Sequence, residues 1–156
     1  MPKAYIMVGV PASGKSYYIN NVLLKQNPNA VVISTDNLVE QYAHSQGKTY
    51  SDVFQQYMPT AVKIMSNDVI TLVENGMDII WDQTSTTIAA RKKKLRMLPA
   101  EYEKIAVVLP IPGISELAYR LYNRPGKNIP DHVMKTMIAG WQYPSLTEGF
   151  NEIINV

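Results

Sequence analysis

Residues 9 to 16 read Gly-Val-Pro-Ala-Ser-Gly-Lys-Ser, a spacing whose chemistry is the holding of phosphate. Gly9 and Gly14 let the backbone turn tightly, so that successive amide N–H groups face one anion-sized hollow. Lys15 has the reach to touch β- and γ-phosphates, and the Ser16 hydroxyl suits a Mg²⁺ ion. Nucleotide contacts are therefore expected from Gly9, Pro11, Ala12, Ser13, Gly14, Lys15, Ser16 and Tyr17. Two aspartates could act on what is bound there. Asp36 follows Val31-Val32-Ile33-Ser34-Thr35, and Asp82 follows Ile79-Ile80-Trp81. A third set is cationic: Arg120, Arg124 and Lys127 stand among Pro125, Gly126 and Pro130. Basic residues on such a loop can close over phosphates and offset charge during transfer.

These residues need elements to carry them. Ala4 to Val8 is a short apolar run that breaks at Gly9, and a helix is expected from about Lys15 to Lys25, with Ile19, Val22 and Leu23 at helical spacing. That is the strand-before, helix-after context that a phosphate loop requires. Ala30 to Ile33 reads as a buried second strand, Met77 to Trp81 as a third and Tyr102 to Leu109 as a fourth. Between the second and third, Val53 to Val73 carries apolar residues at mixed spacings around Pro59, which fits one or two helices ending at Asn75-Gly76. Helices are also expected over Ile88 to Leu98, Glu116 to Asn123 and Asp131 to Trp141, with an apolar tail from Tyr143 to Ile154 docked on the core. The order predicts a three-layer α/β P-loop domain over residues 1–156. It has a four-stranded, mainly parallel sheet of the adenylate-kinase type and a basic lid at about residues 120–130.

In an open parallel sheet, ligands bind at the carboxyl ends of the strands. Asp36 and Asp82 both fall there. For Asp36, the competing reading is that Ser34, Thr35 or Asp36 caps the next helix; position alone divides the two evenly. The run Arg91-Lys92-Lys93-Lys94, with Arg96, is either a solvated helix surface or a contact to a phosphate backbone.

Composition narrows the classes. At 156 residues and 46% hydrophobic, the chain suits one domain with a single core. There is no cysteine, which removes disulfide frameworks and thiolate metal sites. No stretch approaches the roughly 18 apolar residues of a membrane span and no leader pattern precedes the first strand, so a cytoplasmic protein with no membrane partner is expected. The chain is also too short for the added elements of a motor ATPase or switch GTPase, and no Asn-Lys-x-Asp guanine-reading motif is present.

Four blocks together carry a resemblance. Gly-Val-Pro-Ala-Ser-Gly-Lys15-Ser16, Val-Ile-Ser-Thr-Asp36-Asn, Ile-Ile-Trp-Asp82-Gln-Thr and Arg120-x3-Arg124-x5-Pro130 follow one another. In order and spacing they resemble the kinase module of 5′-hydroxyl polynucleotide kinases, both the phage type and the module of the animal DNA-repair enzyme. The tail Gln142-Tyr-Pro-Ser-Leu-Thr-Glu-Gly-Phe150 is similar to the carboxyl end of the animal module. The resemblance implies transfer of the γ-phosphate of ATP, or another nucleoside triphosphate, with Mg²⁺, to the 5′-hydroxyl end of DNA or RNA. It also implies roles. Lys15 holds phosphate, Ser16 holds the metal, Asp36 is the general base, and Arg124, with Arg120, neutralises the moving phosphoryl group. Asp82 orients either the metal's water shell or an arginine. A homo-oligomer is a further implication of the phage type. In two respects the chain departs from the family: Leu38 and Val39 stand where the phage type has an arginine after its aspartate, and a kinase without the fused phosphatase or ligase is expected. A P-loop kinase for a nucleoside, sugar acid or antibiotic shares most of these features, and a nucleotide-binding switch module shares the loop.

Overall fold

The structure is a computed structural model covering residues 1–156. β1 (Lys3–Val8) lies at the centre of a five-stranded sheet, with β3 (Ile79–Trp81) on one side and β4 (Glu103–Val108) on the other. β2 (Val31–Ile33) closes one edge beside β3, and β5 (Glu152–Asn155) closes the other beside β4. Every pairing is parallel. The expected four-strand, mainly parallel sheet is therefore corrected to five strands, all parallel. The apolar tail does not merely dock: Ile153 pairs with Ala106 and Ile154 with Val107 in register. β5 has only two apolar residues, flanked by Glu152 and Asn155, a pattern that does not separate an edge strand from a docked cluster.

Period-two alternation distributes the strand residues between two cores. Ala4, Ile6, Val8, Trp81, Ala106 and Val108 face one side, packed with Met65, Val69, Leu98, Tyr102 and Phe150. Tyr5, Met7, Ile80, Ile105 and Val107 face the other, against Ile19 and Leu23. Helices thus cover both faces, the arrangement expected of a parallel sheet.

The helix after the phosphate loop comprises α1 (Lys15–Tyr18), a π-helical turn (Ile19–Leu23) and α2 (Leu24–Gln26). α3 (Thr35–Ser45) follows β2 directly, and α4 (Tyr50–Glu74) is a single helix that runs through Pro59. Thr49 and Asp52 form a reciprocal capping box at its start, and Gly76, at φ 63°, follows its last turn. α3 and α4 pack as a hairpin on Val39, Ala43, Val53 and Ala61. α5 (Ile88–Leu95) precedes β4, and α6 (Ile114–Tyr122) and α7 (Asp131–Ala139) flank the lid loop. No helix is long and apolar enough to cross a membrane.

The basic run of α5 meets neither expectation in full. Arg91 is fully buried, and its guanidinium grips Glu148 through Nε at 2.8 Å and Nη2 at 3.2 Å while Nη1 donates to the Ser85 carbonyl at 2.9 Å. Lys94 is buried too, with its ammonium 5.9 Å from the centroid of the Trp81 ring. Only Lys92, Lys93 and Arg96 face solvent. A buried arginine is legible only with its acid, and Glu148 lies far along the chain.

Candidate active site

The loops after β1, β2 and β3 leave the same edge of the sheet, because parallel strands joined by crossovers end together. The Gly9 amide donates to the Thr84 carbonyl at 2.9 Å, which ties the loop after β1 to the loop after β3. Residues 9–16 then wrap round a hollow. Ala12 takes φ 64° and Gly14 φ 101°, both left-handed. A Cβ placed on Gly9 would stand 2.5 Å from Ser13 Oγ, so any side chain there would force that hydroxyl to move. The amides of Gly14, Lys15, Ser16 and Tyr17 have no acceptor within the protein. Four free donors at a helix start fit an oxyanion. Lys15 bends back, its ammonium donating to the carbonyls of Gly9 (3.0 Å) and Val10 (2.9 Å).

Two cavities meet beside this loop. The larger, about 890 Å³, is floored by residues 11–18 and walled by Leu109, Pro110, Arg120 and Val156. The smaller, about 540 Å³, lies between α4 and α7 and is lined by Tyr50, Phe54, Met58, Ile129, Val133 and Met137. Asp36, Asp82, Arg124 and Lys127 line both. The charged groups expected to do chemistry therefore stand at the junction.

Local structure explains how Asp36 comes to be available. Ser34 caps α3, its hydroxyl accepting from the Asn37 amide at 3.3 Å. This resolves the two readings of the segment: the serine caps, and the aspartate two residues later is left to face the cavities. Its Oδ1 accepts a 2.6 Å hydrogen bond from the Tyr50 hydroxyl. Gln83 donates to Thr35 Oγ1 at 2.9 Å and so braces the same turn from β3.

Burial dominates the electrostatics. It pulls Lys15 down to about 8, although the Asp82 and Asp36 carboxylates act the other way. It pushes the Asp82 carboxyl above its ordinary value, opposed by Lys15 and reinforced by Asp36. Burial, followed by the hydrogen bond to Asp36, also raises the Tyr50 phenol well above its ordinary value.

The cations of the lid differ in their engagement. Arg120 donates through Nε to Glu116 at 2.8 Å and through Nη1 to the Ala12 carbonyl at 3.1 Å, bracing the loop at its strained residue. Arg124 points a buried Nη1 into the junction with no partner. Lys127 pairs with Glu40 and lies 4.9 Å from the centroid of the Tyr50 ring. The lid itself is pinned to α4: the Ser51 amide donates to the Gly126 carbonyl at 3.0 Å and the Asn128 amide to Ser51 Oγ at 3.0 Å.

All the loop residues expected to touch nucleotide except Gly9 line the larger cavity, as do Asp36, Asp82, Arg120 and Arg124. Gly9 forms the turn beneath. Tyr50 and Glu40 were not legible as site residues, whereas Lys127 stood among the lid cations. Tyr50 stands at a helix start far from Asp36 in sequence, and no local motif marks it.

The donor set fits a nucleoside triphosphate with Mg²⁺. Ser16 faces the larger cavity together with two carboxylates, and no cluster of three or more acidic or imidazole groups makes a metal cage of protein ligands alone. That suits an ion that takes most of its ligands from phosphate and water.

The fold and this cleft define a kinase-type P-loop domain. An AAA domain family model matches residues 5–144, and the chain belongs to that family. Among solved structures, it is similar to a putative kinase from Chloroflexus aurantiacus, at 15% identity over 99% of this chain and 84% of that one, with a TM-score of 0.71. It is similar to a chain of the Pnkp1/Rnl/Hen1 RNA repair complex, at 22% identity over 89% of this chain and 43% of that one, with a TM-score of 0.67. A gluconokinase from Sinorhizobium meliloti matches at 18% identity over 99% of this chain and 82% of that one, with a TM-score of 0.55. Against the RNA repair chain, this one spans less than half the length. Identities at this level establish the fold shared with kinases of different substrates.

Proposed function

We propose that the protein transfers the γ-phosphoryl group of ATP to the 5′-hydroxyl end of DNA or RNA. The observation that carries this reading is the position of Asp36 between two cavities of different character. One is floored by the phosphate loop and the other is largely apolar. Lys15 and the free loop amides hold the triphosphate in the first. The Ser16 hydroxyl would hold Mg²⁺, whose charge would offset that of the phosphates. The acceptor enters the second cavity, and Asp36 accepts its proton as the hydroxyl oxygen attacks the γ-phosphorus. The bond from that phosphorus to the β–γ bridging oxygen breaks and ADP leaves. The free Nη1 of Arg124 supplies positive charge where the equatorial oxygens pass. The Asp82 carboxylate, whose charge favours the ammonium form of Lys15, would help keep it charged as phosphate enters.

The acceptor cavity favours a nucleoside over a sugar acid. Beside the charged groups at the junction, its wall carries Tyr50, Phe54, Met58 and Met137, and a base has a flat face for Tyr50 and Phe54 that a sugar acid does not use. The remainder of a polynucleotide would leave through the open side of that cavity.

The test is transfer of radiolabelled γ-phosphate from ATP with Mg²⁺. A 5′-hydroxyl oligodeoxynucleotide, a 5′-hydroxyl oligoribonucleotide and a panel of nucleosides and sugar acids are offered in parallel. Label on an oligonucleotide, lost in Asp36→Asn, is expected. Label confined to a small molecule overturns the acceptor, and label on nothing overturns the transferase.

A further inference from the structure

Tyr50 belongs to no motif, yet it is tied to the site from three directions. Its hydroxyl donates to Asp36 Oδ1 at 2.6 Å. Its ring lies 4.9 Å from the Lys127 ammonium, which comes from the lid and also pairs with Glu40, one turn beyond Asp36 on α3. Its backbone opens α4 beside Ser51, whose amide donates to the lid's Gly126 carbonyl and whose hydroxyl accepts from the Asn128 amide. The aromatic ring also packs 5.4 Å from Phe54 in the wall of the smaller cavity.

A carboxylate whose side chain turns freely presents either oxygen, in many directions, to an incoming hydroxyl. A strong hydrogen bond to one oxygen fixes the torsion and leaves the other to take the proton. We infer that Tyr50 is the positioning residue for Asp36: its hydroxyl anchors Oδ1 so that Oδ2 meets the acceptor, and the lid's Lys127 holds the ring in the place from which it can do so. Lid position and base orientation are then one event rather than two. With the lid open, Lys127 leaves the ring, and the base loses its fixed aim before water can use it. The inference rests on the reading of Asp36 as the base.

The charged and titratable groups facing this pair are Lys15, Asp82, Arg124, Lys127 and Glu40. All of them remain when Tyr50 becomes Phe, so the substitution removes one donor and leaves the field.

The experiment is a double-mutant cycle of Tyr50→Phe and Asp36→Asn, read by phosphoryl transfer at one pH, with ATP KM and the thermal midpoint followed in each variant. Expected for Tyr50→Phe is a tenfold or larger fall in kcat with ATP KM within twofold and the thermal midpoint nearly unchanged. In the Asp36→Asn background the same change costs less than twofold, because the group it aims is gone. Lys127→Met, which keeps Tyr50, reproduces part of the loss. An equal cost in both backgrounds, or a fall in kcat matched by an equal loss of ATP affinity, overturns the inference while leaving Asp36 as base. Transfer by Asp36→Asn above about a tenth of the parent rate overturns both.

Discussion

At the scale of single residues, the cleft depends on a few atoms that have no substitute. Gly9→Ala puts a methyl carbon 2.5 Å from Ser13 Oγ, and that side chain must shift within the phosphate loop to admit it. Loss of measurable ATP binding is expected in equilibrium dialysis, with the circular dichroism spectrum unchanged. Asp36→Asn keeps the shape and removes the proton acceptor. Turnover should fall by about 10² to 10⁴ with ATP affinity nearly intact, checked by single-turnover rates beside a binding isotherm. Lys15, pulled to about 8 by burial, is half deprotonated near that pH in the empty cleft. Bound phosphates favour its charged form, so nucleotide binding at pH 8 should take up protons. Calorimetric heats that do not vary with the ionisation enthalpy of the buffer would contradict this. The loop, Asp36, Asp82 and the lid arginines were legible because each lies in a short local pattern. Tyr50 was not, because its partner is brought to it only by the α3–α4 hairpin.

Among the elements, α5 shows how a charge run can hold a fold together. Arg91 and Glu148 join α5 to the tail that leads into β5, and the same tail meets the loop before α5 where the Gln142 amide donates to the Thr86 carbonyl at 2.9 Å. Arg91→Ala leaves Glu148 buried without its cation, a loss of about 3–5 kcal/mol; Lys92→Ala and Lys93→Ala should change stability by less than about 0.5 kcal/mol. Urea midpoints distinguish the three. Lys94 makes the opposite contribution. Burial lowers it to about 8, so the unfolded chain binds its proton more tightly, and stability from this group rises as pH goes from about 8 towards 10.5. Lys94→Met should flatten that rise in urea titrations across the same window. Periodicity sufficed to find most helices and the four apolar runs that became β1 to β4. It could not find β5, whose four residues acquire their identity from the edge of β4.

For the whole molecule, the lid and the α3–α4 hairpin behave as one wall. Gly126, at φ 70°, lies against Thr49, where a Cβ would come within 3.0 Å of the threonine side chain, and Ser51 holds the lid through Asn128. Ser51→Ala removes that acceptor at a cost of about 1 kcal/mol. Protease cleavage between residues 123 and 130 in the presence of ATP should accordingly quicken about fivefold, while the global unfolding midpoint stays in place. The strand order has a separate consequence, for synthesis rather than catalysis. β1 is made first, yet Lys3 finds its register beside Glu103 and Ala4 beside Ile79. At roughly 5–20 residues per second, the central strand leaves the ribosome on the order of ten seconds before its second neighbour exists. For that interval Ile6, Met7 and Val8 form a bare apolar edge, and a chaperone that recognises extended apolar chain has its natural target there.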